Sequence, residues 1–358
     1  MSKQQNRQNK IVSGGNSIIK DGVKLYEELK QRIFAVNNRE AFARTALDIF
    51  AFQFKYNEVY QTYCTALRRT PDKVQKLEDI PFLPASFFKS KKVEVSLSGK
   101  AGKEEPVVFF SSATSSSIPS KHIVGDAAIY RESFRRAFSV FYGDIRDYCI
   151  LALLPSYLER SGSSLVYMAD DMIRLSGSAD SGFYLHNHSG LHDKLVRLEE
   201  QGRKSLLLSV TYALLDFAAE HPIRLKHTIV METGGMKGRR KELLRGEVHR
   251  ILKEAFGIPS VHSEYGMTEL LSQAYSNGNG IFRAPAWMCV LARDRYDPLK
   301  CGLVNESGGI NIIDLANINS CSFIATDDAG IVRHDGSFEI TGRLEYSDAR
   351  GCNLMLEG

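Results

Sequence analysis

The sequence predicts an α/β fold: a largely parallel sheet with helical crossovers, preceded by a helical lead-in and followed by a smaller β-rich subdomain. Three observations carry this expectation. Between about residues 148 and 256, short apolar runs alternate with stretches of amphipathic spacing, as strands joined by crossover helices require. From Trp287 to about Thr341 that period gives way to alternating runs broken by glycine, the pattern of hairpins. The chain's 358 residues also exceed the roughly 250–300 at which one core stops growing, so more than one subdomain is expected.

In order, residues 1–15 read as a disordered arm closed by Ser13-Gly14-Gly15. Residues 16–105 form the helical lead-in: Leu25, Leu29, Ile33 and then Phe42, Ala46, Phe50, Phe54 recur at helical spacing, with Asn37 or Asn38 as a cap between helices. Pro81 and Pro84 exclude a regular helix or central strand at Ile80–Ser90. Residues 106–286 form the α/β core. Its predicted strands are Tyr148–Leu154, Lys204–Val210, His227–Met231 and Ser260–His262, and its predicted helices Tyr130–Phe141, Leu165–Leu175, Tyr212–Glu220 and Lys237–Phe256. Residues 287–358 form the β-rich subdomain.

Composition narrows the function. The 43% hydrophobic and 25% charged fractions are those of a globular protein, and a net charge of +4 is too small to imply a nucleic-acid or membrane-surface partner. A polar N-terminus and the lack of any apolar run near ~20 residues argue against a secretory signal or membrane span, so the cytoplasm is the expected compartment. The cysteines are scattered without a CxxC pair, so they read as reduced thiols rather than a disulfide or zinc framework.

The chain is centred on FFSSATSSSIPSKH, Phe109 to His122, half of which is Ser or Thr and which holds one lysine, Lys121. Small residues after a strand let backbone N–H groups approach an anion, hydroxyls add donors and a lysine adds charge, so the segment suits a phosphate-gripping loop; taken singly, such a Ser-rich stretch is more often a flexible polar connection. Gly234 and Gly235 follow a predicted strand, where backbone can approach a ligand or simply turn. In Tyr265-Gly266-Met267-Thr268-Glu269, an aromatic able to stack on a base precedes a hydroxyl and a carboxylate. A carboxylate beside phosphates needs an intervening cation, so Glu269 suggests Mg²⁺. Two other patterns read as incidental. Ser86-x-x-Lys89 lacks the companion elements of Ser-Lys acyl enzymes, and LHNHSGLHD, with His186, His188, His192 and Asp193, fits no metal spacing and reads as an exposed polar loop.

The phosphate loop, Tyr265 to Glu269, Thr326-Asp327-Asp328 and Gly342-Arg343 occur in the order of the adenylate-forming superfamily. More closely, IPFLPASFFK, TGGMKGRRKEL, HSEYGMTELLSQAY and SDARGCNL resemble the LuxE-type acyl-protein synthetase branch, related to phenylacetate-CoA ligases, from about Ile80 to the C-terminus. The resemblance implies a large adenylate-forming N-terminal domain that activates a carboxylic acid of the fatty class with ATP and Mg²⁺. It implies that Ser111, Ser112, Thr114, Ser115 and Lys121 hold the ATP phosphates, and that Gly234 and Gly235 border the adenine and the substrate carboxylate. Tyr265 and Gly266 would flank the adenine, Thr268 would contact phosphate, Glu269 would hold Mg²⁺, Asp328 the ribose hydroxyls, and Arg343 the nucleotide.

The same resemblance implies that the small mobile C-terminal domain of the CoA ligases is absent and that Cys352 accepts the acyl group as a thioester. Arg350 beside it supplies charge that favours a thiolate, and the acyl group would pass to an acyl-CoA-reductase-like partner. The chain departs from the superfamily loop at Ala113 and Ser116, where glycine is usual. Two alternatives stand beside this reading: a CoA ligase of the phenylacetate type, and a non-catalytic nucleotide-binding module.

Overall fold

The main sheet is built from the chain's most apolar strands. In the computed structural model, which describes residues 22–97, 105–111, 118–154, 162–234 and 243–344, these are β4 (Cys149–Leu153), β5 (Gly182–Tyr184), β6 (Ser205–Val210), β7 (Thr228–Thr233), β8 (His262–Tyr265) and β9 (Ala274–Ser276). They lie in the order β5-β4-β6-β7-β8-β9, parallel except for β9. Every residue of β4 and β6 is buried, as a strand covered on both faces requires. The connections are helices α6 (Ser164–Ser176), α7 (His188–Glu200), α8 (Thr211–Glu220) and α9 (Arg245–Phe256), so the predicted α/β core forms as expected.

A second sheet runs β10-β15-β14-β13-β11-β12, from β10 (Ile281–Phe282), β11 (Met288–Arg293), β12 (Cys301–Leu303), β13 (Ser307–Asp314), β14 (Phe323–Val332) and β15 (Phe338–Arg343). Its neighbours pair antiparallel. The short β1 (Leu83–Pro84) joins it parallel to β14, a position its proline tolerates at a sheet's margin. A separate antiparallel hairpin, β2 (Val107–Phe110) with β3 (Lys121–Val124), flanks the Ser/Thr segment, and α5 (Ala127–Tyr142) follows, capped by Asp126, which accepts from Ala128 N at 3.1 Å.

The lead-in is helical at α1 (22–33), α2 (Arg39–Tyr56) and α3 (Glu58–Ala66). Asn38 caps α2 and Asn57 caps α3, each side chain accepting a backbone N–H three residues on. The aromatic surplus of this stretch packs against the second sheet: Phe50 and Tyr60 both meet Phe323, at ring-centroid distances of 6.0 and 5.9 Å. Gln53 Nε2 donates to the carbonyls of Asn317 and Ile318. Among the described residues, no helix is long and apolar enough to cross a membrane.

Two local expectations need correction. The His-rich segment is not a loop: α7 begins at His188, with Asn187 accepting from Gly190 N at 2.9 Å. Its apolar stripe, Leu191, Leu195 and Leu198, lies mostly beyond the histidines, so the helical period is invisible inside the nine-residue motif. The strand predicted at Ser260–His262 instead starts at His262 and runs to Tyr265, because pairing of Met231 with His262 fixes its register on β7. Of the helix predicted from Lys237, residues 237–242 lie outside the described part, and α9 starts at Arg245.

Candidate active site

The carboxyl ends of parallel strands are where an open α/β sheet receives ligands, and the predicted residues of β7 and β8 gather there. Gly234 follows β7 at φ +70°, a left-handed backbone that a side chain would strain, and its carbonyl accepts from Thr211 Oγ1 at 2.7 Å. Tyr265 ends β8. Its ring is buried edge-on against Phe282 and Phe338, and its hydroxyl donates to Asp328 Oδ2 at 2.8 Å. A Cβ at Gly266 would come within 2.5 Å of Glu264 Oε1, so a larger residue there would have to displace that carboxyl.

Asp328 comes from β14 and Arg343 from β15, directly opposite in register, with Arg343 Nε 3.7 Å from Asp328 Oδ1. The arginine side chain is 77% exposed, free to turn toward a ligand. Burial raises the Asp328 carboxyl above its ordinary value, opposed by the Tyr265 hydrogen bond and the charge of Arg343. The two sheets thus meet at Tyr265 and Asp328, residues far apart in sequence.

The turn bearing Thr268 and Glu269 is held by backbone contacts. His122 Nδ1 donates to the Thr268 carbonyl at 2.7 Å, and its Nε2 lies 3.0 Å from Asn317 Oδ1. Asn317 Nδ2 in turn donates to the Glu269 carbonyl at 2.7 Å. Burial lowers His122 to about 4 against the pull of these two acceptors. Just beyond, Asp314 accepts from the backbone of Leu271 and Ser272 and from the Ser272 hydroxyl. The Glu269 side chain is itself buried. Its carboxyl is raised by burial, which the Ser120 hydroxyl and Lys89 oppose and Asp327 reinforces. Glu269 offers the hard carboxylate oxygen that Mg²⁺ takes when substrate phosphates complete its shell, and the charge of Asp327 reaches the same carboxyl.

On the hairpin, Ser111 closes against Ser120: its N–H donates to the Ser120 carbonyl, and its Oγ accepts from Ser120 N at 2.8 Å. Lys121 is exposed opposite Phe110. Ser112, Thr114, Ser115, Gly235 and Cys352 lie outside the described residues.

Glu264, His122, Asn317, Asp314 and Lys89 were missed by the sequence reading. Glu264 is raised to about 7, first by burial and further by Glu232, while the Thr233 hydroxyl donates to it and opposes the shift. The usable signal was a polar residue inside an otherwise apolar strand, as at Asn311, Asp314 and Asn317 in the run from Ile310 to Phe323. A cavity of about 510 Å³ opens on the α9 side, lined by Arg245, His249, Ser260, Asn279 and Glu339 among others. None of the predicted site residues lines it.

The chain is similar to known proteins in sequence and in fold. The family model of the acyl-protein synthetase LuxE matches residues 17–182, which bears out the resemblance read from the motifs. A curated relative from Aliivibrio fischeri, a long-chain-fatty-acid–luciferin-component ligase, is 23% identical over 333 residues, covering 86% of each chain. Among solved structures, a 2-hydroxyisobutyryl-CoA ligase in complex with 2-HIB-AMP and CoA superposes at TM-score 0.60 with 11% identity, over 86% of this chain and 71% of that one. ATP-bound MatB from Rhodopseudomonas palustris superposes at TM-score 0.50 with 15% identity, over 66% of this chain. The match spans about half, 47%, of the MatB chain. These superpositions show a fold shared with these two proteins.

Proposed function

Taking the chain as LuxE-type, on the family match over residues 17–182, we propose that it is an AMP-forming acyl-protein synthetase that activates a fatty acid with ATP. The observation that carries this reading is the convergence of Tyr265, Asp328 and Arg343 with the Thr268–Glu269 turn at the carboxyl ends of the parallel strands. A nucleotide whose ribose reaches Asp328 would present its phosphates toward that turn. The substrate carboxylate oxygen forms a bond to the α-phosphorus, the bond to the pyrophosphate oxygen breaks, and an acyl-adenylate remains.

The chain's residues serve this reaction by fixing positions. His122 and Asn317 hold the backbone of the turn, so the Thr268 hydroxyl and Glu269 carboxylate start preorganised. Ser111, Ser112, Thr114, Ser115 and Lys121 would offer donors to the leaving pyrophosphate, while Gly234 and Gly235 would let backbone approach the adenine and the substrate carboxylate. Mg²⁺ held by Glu269 would offset phosphate charge.

In the second half-reaction the thiolate of Cys352 attacks the acyl carbonyl, AMP leaves, and a thioester forms for delivery to an acyl-CoA-reductase-like protein. The test is pyrophosphate release by the full chain with ATP, Mg²⁺ and a panel of fatty and aryl acids, with and without CoA. Acid-dependent release without CoA is expected. ATP binding with no release for any acid would point to a nucleotide-binding module, and an acyl-CoA product would point to a CoA ligase.

A further inference from the structure

Lys89 has no role in the reading above, yet the fold carries it to the Thr268–Glu269 turn. β1 pairs Leu83 with Ile324 and Pro84 with Ala325 of β14, and Ala85 N donates to the Ala325 carbonyl at 2.9 Å. This register lays the segment along the strand that supplies Asp327 and Asp328. The short helix α4 (Phe87–Ser90) follows, and its buried Phe88 sets its ring edge-on to His122 at 5.5 Å. Because His122 holds the Thr268 carbonyl, α4 is pinned to the turn that bears Glu269.

The next residue, Lys89, is exposed. It forms no ion pair within 4 Å among the described residues, although its charge is felt at Glu269. Asp327 and Glu269 both place negative charge here. A polyanion binding here needs local positive charge; Lys121 stands on the β2–β3 hairpin and Arg343 at the Asp328 end, which leaves the Glu269 side to Lys89. A lysine on a four-carbon stem can reach a phosphate oxygen as a point charge.

We propose that Lys89 binds the β- and γ-phosphates of ATP, bringing an ammonium group to the Glu269 side of the cleft from the β1–α4 segment. The assignment rests on the adenylating reading above. It gives the Ser86-x-x-Lys89 spacing a use in which the lysine acts and the serine does not: Ser86 simply starts the four-residue helix.

The test compares binding of ATP and of AMP to the full chain by calorimetry, for wild type, Lys89→Met and Lys89→Arg. Lys89→Met keeps the apolar stem at an exposed position, and thermal melting checks that the fold is unchanged. Loss of a charge-assisted contact predicts roughly 10–100-fold weaker ATP binding. AMP, which lacks the two outer phosphates, should change less than about 3-fold, and Lys89→Arg should keep most of the ATP affinity. Unchanged ATP binding, or equal weakening of ATP and AMP, overturns the proposal. Failure is separable from that of the general reading: if wild type binds ATP but no acid elicits pyrophosphate, adenylation is wrong, while the ATP-to-AMP comparison still decides Lys89.

Discussion

Glu264 and His122 respond to pH in opposite senses, and both are buried without a full counter-charge. Glu264 keeps its proton in the folded chain up to about pH 7, whereas an unperturbed glutamate releases it near 4.5. Its contribution to stability is therefore complete below about pH 4.5 and is lost as pH rises through 7. His122 is held at about 4 against an ordinary 6.5, so its contribution is complete above about pH 6.5 and is lost as pH falls toward 4. Over the shared window the two slopes offset one another. Glu264→Gln removes one of them. The stability of this variant relative to wild type should rise between pH 4.5 and 7, by about 3 kcal/mol for a shift of this size. Thermal melting across that range reads the difference directly, and a difference that stays constant with pH would mean that Glu264 ionises normally. Neither residue stood out in sequence. An acid in a short strand next to a tyrosine looks like surface, and His122 bonds a carbonyl 146 positions away.

Elements matter here through the buried polar groups that tie them together. The turn at Leu315–Asn317 receives α2 through Gln53 and the Glu269 turn through Asn317. Removing the Asn317 amide leaves the Glu269 carbonyl and the His122 ring short of a partner in a dry setting, which costs about 1–3 kcal/mol. Asn317→Ala should therefore lower the melting temperature and also cut pyrophosphate release by roughly 10-fold, beyond the stability effect, because the Glu269 turn loses its support. Gln53→Leu, with a comparable stability cost but no bond to that turn, should leave turnover of the folded protein near wild type; equal turnover losses in both variants would mean that Asn317 acts through stability alone. At this scale the helices and apolar strands were legible: periodicity alone gives α2, α5, α6, α8, β4, β6 and β7 nearly to their ends. The start of α7 was not, because its apolar stripe begins after the histidines, and β8 was displaced because pairing with β7, not composition, fixes where it lies.

Across the whole molecule, Asp328 meets Tyr265 because the β-rich sheet abuts the carboxyl ends of the parallel strands. The acyl acceptor remains a sequence-based assignment. Cys352→Ser should leave acid-dependent pyrophosphate release within about 2-fold of wild type while abolishing stable labelling of the chain by radioactive acid and ATP, since a serine oxygen at neutral pH is a far weaker nucleophile than a thiolate. Persistent labelling would remove Cys352 from the mechanism. What depends on neighbours along the chain was legible in the sequence: the strand and helix periods, the glycine turns, and the motif order through Tyr265, Thr268, Glu269, Asp328 and Arg343 that carries the resemblance. Only tertiary structure decided which distant polar groups share a buried space, as His122, Asn317 and the Glu269 turn do. It also set Lys89 beside that turn. Hydrophobic periodicity is written locally, but a hydrogen bond or a charge acts on whatever packing brings within a few ångströms.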